Sequence, residues 1–167
     1  GGWTLVTDHS TLNSGDQLVI ASNTKGFVAG DISSQIMTNL SATFSDDLKK
    51  ISVLPDDAII LTLGGSTDAW TLTNHSNQEL GATAVKKLAW NSGTLTWNIT
   101  ISSGSATIAS TNSTYGSFRY NVNSTRFTTY TSNPTTAMLM PQLYRLEGST
   151  GYYTTGEQIK EVVLNNG

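Results

Sequence analysis

Between Trp97 and Leu146 the chain alternates apolar and polar residues in five short bursts: WNITI, SATIAST, SFRYN, RFTTYTS and MPQLYRL. Gly, Ser, Asn and Pro punctuate them. A period of two between turn residues marks consecutive half-buried strands, because alternate side chains of a strand point to opposite faces.

The same unit recurs upstream. LVIASNTKGFVAG, WTLTNHSNQELGA and ATIASTNSTYGSFRYN each run as strand, polar turn and second strand, the last led by Phe27, Leu80 or Phe118. The next apolar anchors are Ile36, Leu88 and Phe127, and a fourth strand closes each unit at 58–63, 97–101 and 142–146. A unit of roughly 40 residues like this cannot bury its own apolar face and needs its copies to do so. The sequence therefore predicts an all-β domain over 1–146, a β-trefoil of three four-strand repeats at 17–63, 69–101 and 105–146. Six strands would close into a barrel and three hairpins would cap it. A two-sheet β-sandwich or jelly roll is the alternative, since it too shows short strands and frequent turns.

Other stretches fit around this frame. GWTLVTD at 2–8 is one strand too many and is expected beside 142–146, where the chain ends would meet. Gly64-Gly65 reads as a hairpin turn. The polar excursion at 46–54 has a short helix as its alternative, with Leu48 and Ile51 three apart. Residues 147–167 read as a linker and a tail, whose Ile159, Val162 and Val163 would share a helical face.

Charge narrows the range of jobs. Only 13% of the 167 residues are charged and the net charge is −3, whereas 20 Ser, 26 Thr and 13 Asn supply a polar but neutral surface. Nine Lys and Arg lie scattered, apart from Lys49-Lys50 and Lys86-Lys87, so no basic stripe tracks phosphates and a nucleic-acid module is excluded. No apolar run reaches the ~20 residues that span a bilayer, so no membrane insertion is expected. The absence of Cys removes disulfides and thiolate chemistry. The opening Gly1-Gly2, without an initiator Met or a signal peptide, reads as the start of a piece cut from a longer protein. A monomer is expected.

Catalytic patterns are missing. His9 and His75 form no metal-spaced pair, and no P-loop, nucleophile elbow or dinucleotide loop follows a strand. Asp46-Asp47 and Asp56-Asp57 are adjacent acids, which point apart on a strand or turn and read as solvated loop charges rather than a glycosidase pair. No enzyme activity, metal or cofactor is expected.

Binding is better served. Sugar sites combine an aromatic face with amides and cations that pair hydroxyls. Trp70, Trp97, Phe27, Phe118, Phe127, Tyr120 and Tyr144 fall in phase with other apolar residues and read as core. Tyr115 sits in the loop TNSTYGS, and Tyr130 ends RFTTY at a loop mouth. Arg119 and Asn121 flank Tyr120 and are expected on the opposite face from Phe118 and Tyr120, with Arg126 also pointing out. Tyr115, Arg119, Asn121, Arg126 and Tyr130 thus make a candidate shallow site on the third repeat, against the plainer reading of a solvated face. Trp90, before the turn Asn91-Ser92-Gly93, is a second candidate stacking platform.

The segment from Trp97 to Leu146, with FRYN, STRFTTY and QLYRL, resembles a C-terminal β-trefoil-like accessory domain of secreted bacterial proteins. Among them are extracellular nucleases and polysaccharide-active or surface proteins of gut-type bacteria. Gly15-Asp16-Gln17-Leu18-Val19-Ile20 fits the opening strand of that family. The resemblance implies a non-catalytic appendage at the cell surface or outside the cell, attached to other domains of a longer chain. It carries over no binding residues. The Gln-x-Trp signature of ricin-type lectins is absent, so no ricin-like galactose site is expected. The reading is a carbohydrate-binding, lectin-like module with a glycan as partner; the alternative is a structural or protein-interaction spacer.

Overall fold

The computed structural model describes residues 2–148, and the tail expected over 152–167 lies outside them. The described chain is all-β, and its strands pair antiparallel throughout. The first part holds β1 (Trp3–Leu5), β2 (Gln17–Ser22), β3 (Phe27–Ser33), β4 (Ile36–Ser41), β5 (Thr43–Phe44), β6 (Lys50–Val53) and β7 (Leu61–Ser66). Then come β8 (Ala69–Thr73), β9 (Leu80–Ala84), β10 (Lys87–Trp90) and β11 (Trp97–Ser102). The last part holds β12 (Ser105–Ser110), β13 (Ser117–Asn121), β14 (Arg126–Tyr130), β15 (Met138–Leu139) and β16 (Gln142–Leu146).

Six of these strands curl into a ring, in which one backbone bond bridges β12 and the residue before β16. β2 pairs β7 at Leu18↔Leu61, β7 turns into β8, and β8 meets β11 at Trp70↔Trp97. β11 turns into β12, the Ala106 N–H donates to the Pro141 carbonyl at 2.9 Å, and β16 returns to β2 at Leu143↔Ile20.

Three hairpins, β3–β4, β9–β10 and β13–β14, meet through their second strands. Phe127 of β14 pairs with Met37 of β4, the Leu88 N–H donates to Gln35, and the Lys86 N–H donates to Thr129. Met37, Leu88 and Phe127 are buried there. The anchor on β4 is therefore Met37, not Ile36, which is only half-buried. A bulge in β3 between Ala29 and Ile32 shifts the register, and a slip of one residue exchanges the two faces of a strand.

Alternation explains the core. Leu18 and Ile20 of β2 pack with Leu61, Leu63, Leu72 and Leu143, and each such buried side chain contributes about 1.5–3 kcal/mol. Val19 and Ala21, on the other face of β2, pack with Tyr144 under Trp3 and Ile51. That second layer is why β2 reads as an unbroken apolar run. β1 lies beside β16, Trp3 opposite Leu146, as its extra strand demanded. β6 pairs the other side of β1.

One local alternative falls away and one expectation changes. Residues 46–54 form no helix: β5 and β6 pair across a tight turn in which Leu48 takes φ 63° and Ser45 and Asp47 bond the backbone. Gly64-Gly65 is not the hairpin turn but part of β7, with the turn at Thr67-Asp68. Gly65 has φ 76°, and a Cβ there would sit 2.4 Å from the Ala69 carbonyl oxygen, so the close strand approach requires glycine.

Candidate functional site

The third hairpin builds the site. Its register sets Asn121 opposite Arg126, Arg119 opposite Thr128 and Ser117 opposite Tyr130 on one face. Phe118, Tyr120 and Phe127 take the other face and the core. On the first face the Tyr130 hydroxyl accepts from Asn121 Nδ2 at 3.1 Å and from Arg126 Nε at 3.0 Å. Asn121 Oδ1 is held by the Ser124 N–H at 2.9 Å, which fixes the amide's orientation. Arg126 Cζ stands 6.0 Å from the Tyr130 ring centroid and Lys86 Nζ 5.9 Å, both within cation–π range. These side chains, with Ser132 and Met138, line a cavity of about 390 Å³.

Three of the six expected residues therefore converge: Asn121, Arg126 and Tyr130. Tyr130 is not at an open loop mouth. It ends β14 and is 4% exposed, so its hydroxyl is the end that matters for a ligand. Gly116 helps to set it, since a Cβ at Gly116 would meet the Tyr130 carbonyl oxygen at 2.3 Å.

Arg119 does not face water. It is 8% exposed, with Nη1 donating to the Phe118 carbonyl at 2.9 Å and Nη2 to the Ser132 carbonyl at 3.3 Å. The chain after β14 returns along the edge of β13, where β15 pairs with it, and its Ser132 carbonyl takes the guanidinium, which alternation along β13 alone does not reveal. Burial pulls the Arg119 pKa below the usual guanidinium value. The guanidinium stays charged even so.

Tyr115 and Trp90 lie elsewhere. Tyr115 closes the short helical turn Ser113–Tyr115, packs half-buried on the core and does not line the cavity. Trp90 is not an exposed platform: it is half-buried against the core, and its indole N–H donates to Asp31 Oδ1 at 2.9 Å. Asp31 belongs to a different cavity of about 540 Å³, shared with Asp56, Asp57 and His75.

Lys86 completes the site and escapes a reading made repeat by repeat. It sits at φ 67° in the turn of the second hairpin, and its backbone bond to Thr129 carries that turn across β14. The Lys86-Lys87 pair was the visible signal, but nothing local shows which repeat it reaches. Among the described residues no group of three or more His, Cys, Asp or Glu is placed to hold a metal ion.

No family model matches the chain, and no curated protein matches it. Among solved structures it is similar to the GlcNAcα1-4Gal-releasing endo-β-galactosidase from Clostridium perfringens, with a TM-score of 0.55 and 10% identity. The match covers 79% of this chain and 33% of that one. The likeness is one of fold alone. This chain spans about a third of the length of that enzyme's solved chain.

Proposed function

We propose that this chain is a β-trefoil module that binds carbohydrate at its third hairpin and holds a longer parent protein near a glycan. The ring of six strands with three hairpins supports the trefoil reading. One observation carries the function: Tyr130, Asn121 and Arg126 lock one another around a cavity of about 390 Å³, in the size range of small-ligand sites. With two bonds accepted, the Tyr130 hydroxyl keeps its proton to donate. The fold neighbour releases a GlcNAcα1-4Gal disaccharide, which agrees with a carbohydrate-related role. On this reading the module works outside the cell or on its surface, where its neutral Ser, Thr and Asn surface suits hydroxyl-rich partners.

The module has no catalytic role on this reading. A glycosidase acid is held in a dry, apolar pocket. Asp31, Asp56 and Asp57, the acids that share a cavity, are all exposed, and Asp31 Oδ1 already serves the Ile32 N–H and Trp90.

A glycan array followed by calorimetry tests the proposal. Binding in the millimolar-to-micromolar range, worth roughly 4–8 kcal/mol, is expected. Arg126→Ala removes it, and Tyr115→Ala leaves it unchanged. A folded protein that binds nothing on a broad array overturns the reading in favour of a spacer.

A further inference from the structure

We propose that the third-hairpin cavity selects sugars that carry an oxyanion, a carboxylate or a sulfate ester. This rests on the carbohydrate-binding reading and names the class of ligand.

The charge around the cavity opposes that of the chain. Net charge is −3, yet the cavity holds Lys86 and Arg126 and no acidic side chain. Arg119 stands behind it, joined through the carbonyl of Ser132, which lines the wall. Among the described residues the ion pairs are Lys50–Glu147 and Arg145–Asp16, so Lys86, Arg119 and Arg126 each lack a carboxylate partner. The buried Arg119 also keeps an unpartnered Nε. A charge behind a low-dielectric wall is screened less than one in water, so its field persists in the cavity.

The hydrogen-bonding inventory points the same way. Asn121 Oδ1 is taken by Ser124, and the Tyr130 oxygen has accepted twice. The donors that remain are the Tyr130 proton, the Lys86 ammonium and both terminal nitrogens of Arg126, which bonds within the described chain only through Nε; Thr131 and Ser132 also line the cavity, and their hydroxyls can donate or accept. The free edge of a guanidinium matches two oxygens of a carboxylate or sulfate. A neutral sugar hydroxyl both donates and accepts, whereas the two cations favour a ligand group that carries negative charge. An oxyanion only accepts.

The test is an array of neutral glycans, uronate- or sialate-bearing glycans and sulfated glycans, read at low and raised ionic strength. Wild-type protein is compared with Lys86→Gln, Arg126→Lys and Lys87→Gln. Lys87 is exposed beside Lys86 but does not line the cavity, so its variant carries the same charge change elsewhere. The expected result is binding confined to acidic glycans, weaker with salt, and lowered roughly 10- to 100-fold by Lys86→Gln and Arg126→Lys. Lys87→Gln is expected to bind as wild type. Carboxylated or sulfated arms, whichever bind, identify the oxyanion. Binding to neutral glycans without preference for acidic ones overturns this inference and leaves the carbohydrate reading standing. Acidic binding unchanged in both cavity variants overturns it as well. No binding on any arm overturns both.

Discussion

Arg119 and Thr128 face each other across the β13–β14 ladder, and each keeps a buried polar atom without a partner among the described residues, Nε on one and Oγ1 on the other. A buried hydroxyl without a partner retains the cost of leaving water. Thr128 is fully buried, and valine has nearly its shape. Thr128→Val is therefore expected to stabilise the fold by about 1 kcal/mol. Urea unfolding, read as a higher midpoint at unchanged slope, checks it. An equal loss of stability would show that the hydroxyl is satisfied.

The ion pair on the other side of the molecule works in the opposite sense. Asp16 has a fully buried side chain, and its Oδ2 accepts from Arg145 Nη1 at 3.0 Å and from the Asn13 N–H at 2.9 Å. Arg145→Met leaves that carboxylate buried without its cation, at a cost of about 3–5 kcal/mol. Adding Asp16→Asn is expected to recover part of the loss. Additive single and double variants in a thermodynamic cycle would show the pair to be uncoupled.

Trp97 is 0% exposed, tilts against Phe118 at 5.3 Å between ring centroids and donates its indole N–H to the Leu80 carbonyl at 3.0 Å. Trp97→Phe removes volume and leaves that carbonyl unpaired. A loss of about 2–4 kcal/mol is expected, from cavity and hydrogen bond together. Calorimetric melting measures it.

Stability is expected to fall on the alkaline side. Burial raises the pKa of Tyr144 and of Tyr120 above the ordinary tyrosine value, against the smaller opposing effects of Asn23 and Asn39. The unfolded chain then loses these phenol protons first, near pH 10. Their contribution is complete below that pH and declines as pH rises through the raised folded values. Tyr144 also donates its hydroxyl to the Leu48 carbonyl. Tyr144→Phe should be less stable at neutral pH yet flatter between pH 9 and 11. Denaturation midpoints across that range decide it, and an equally steep decline in the variant refutes the assignment.

How much could be read in advance depends on the range of the interaction. Alternation placed Phe118, Tyr120, Trp70 and Trp97 in the core because each pattern lies within one strand. It failed for Arg119, whose guanidinium is taken up by the Ser132 carbonyl of the segment that follows β14. It missed by one residue on β4, where Met37 rather than Ile36 stands opposite Phe127 and is buried. Asn121 and Arg126 were legible as a pair on one hairpin. Lys86 was not, because its place depends on how two hairpins cross, and Trp90 lost its platform to an aspartate nearly sixty positions upstream.

The pairing of Trp3 with Leu146, continued by the Glu147 N–H to the Gly2 carbonyl at 2.9 Å, has a mechanical meaning. The two flanks leave the described chain side by side at the same end of an antiparallel ladder. Tension applied between them would load the rungs one after another, as in a zipper, rather than all at once in shear.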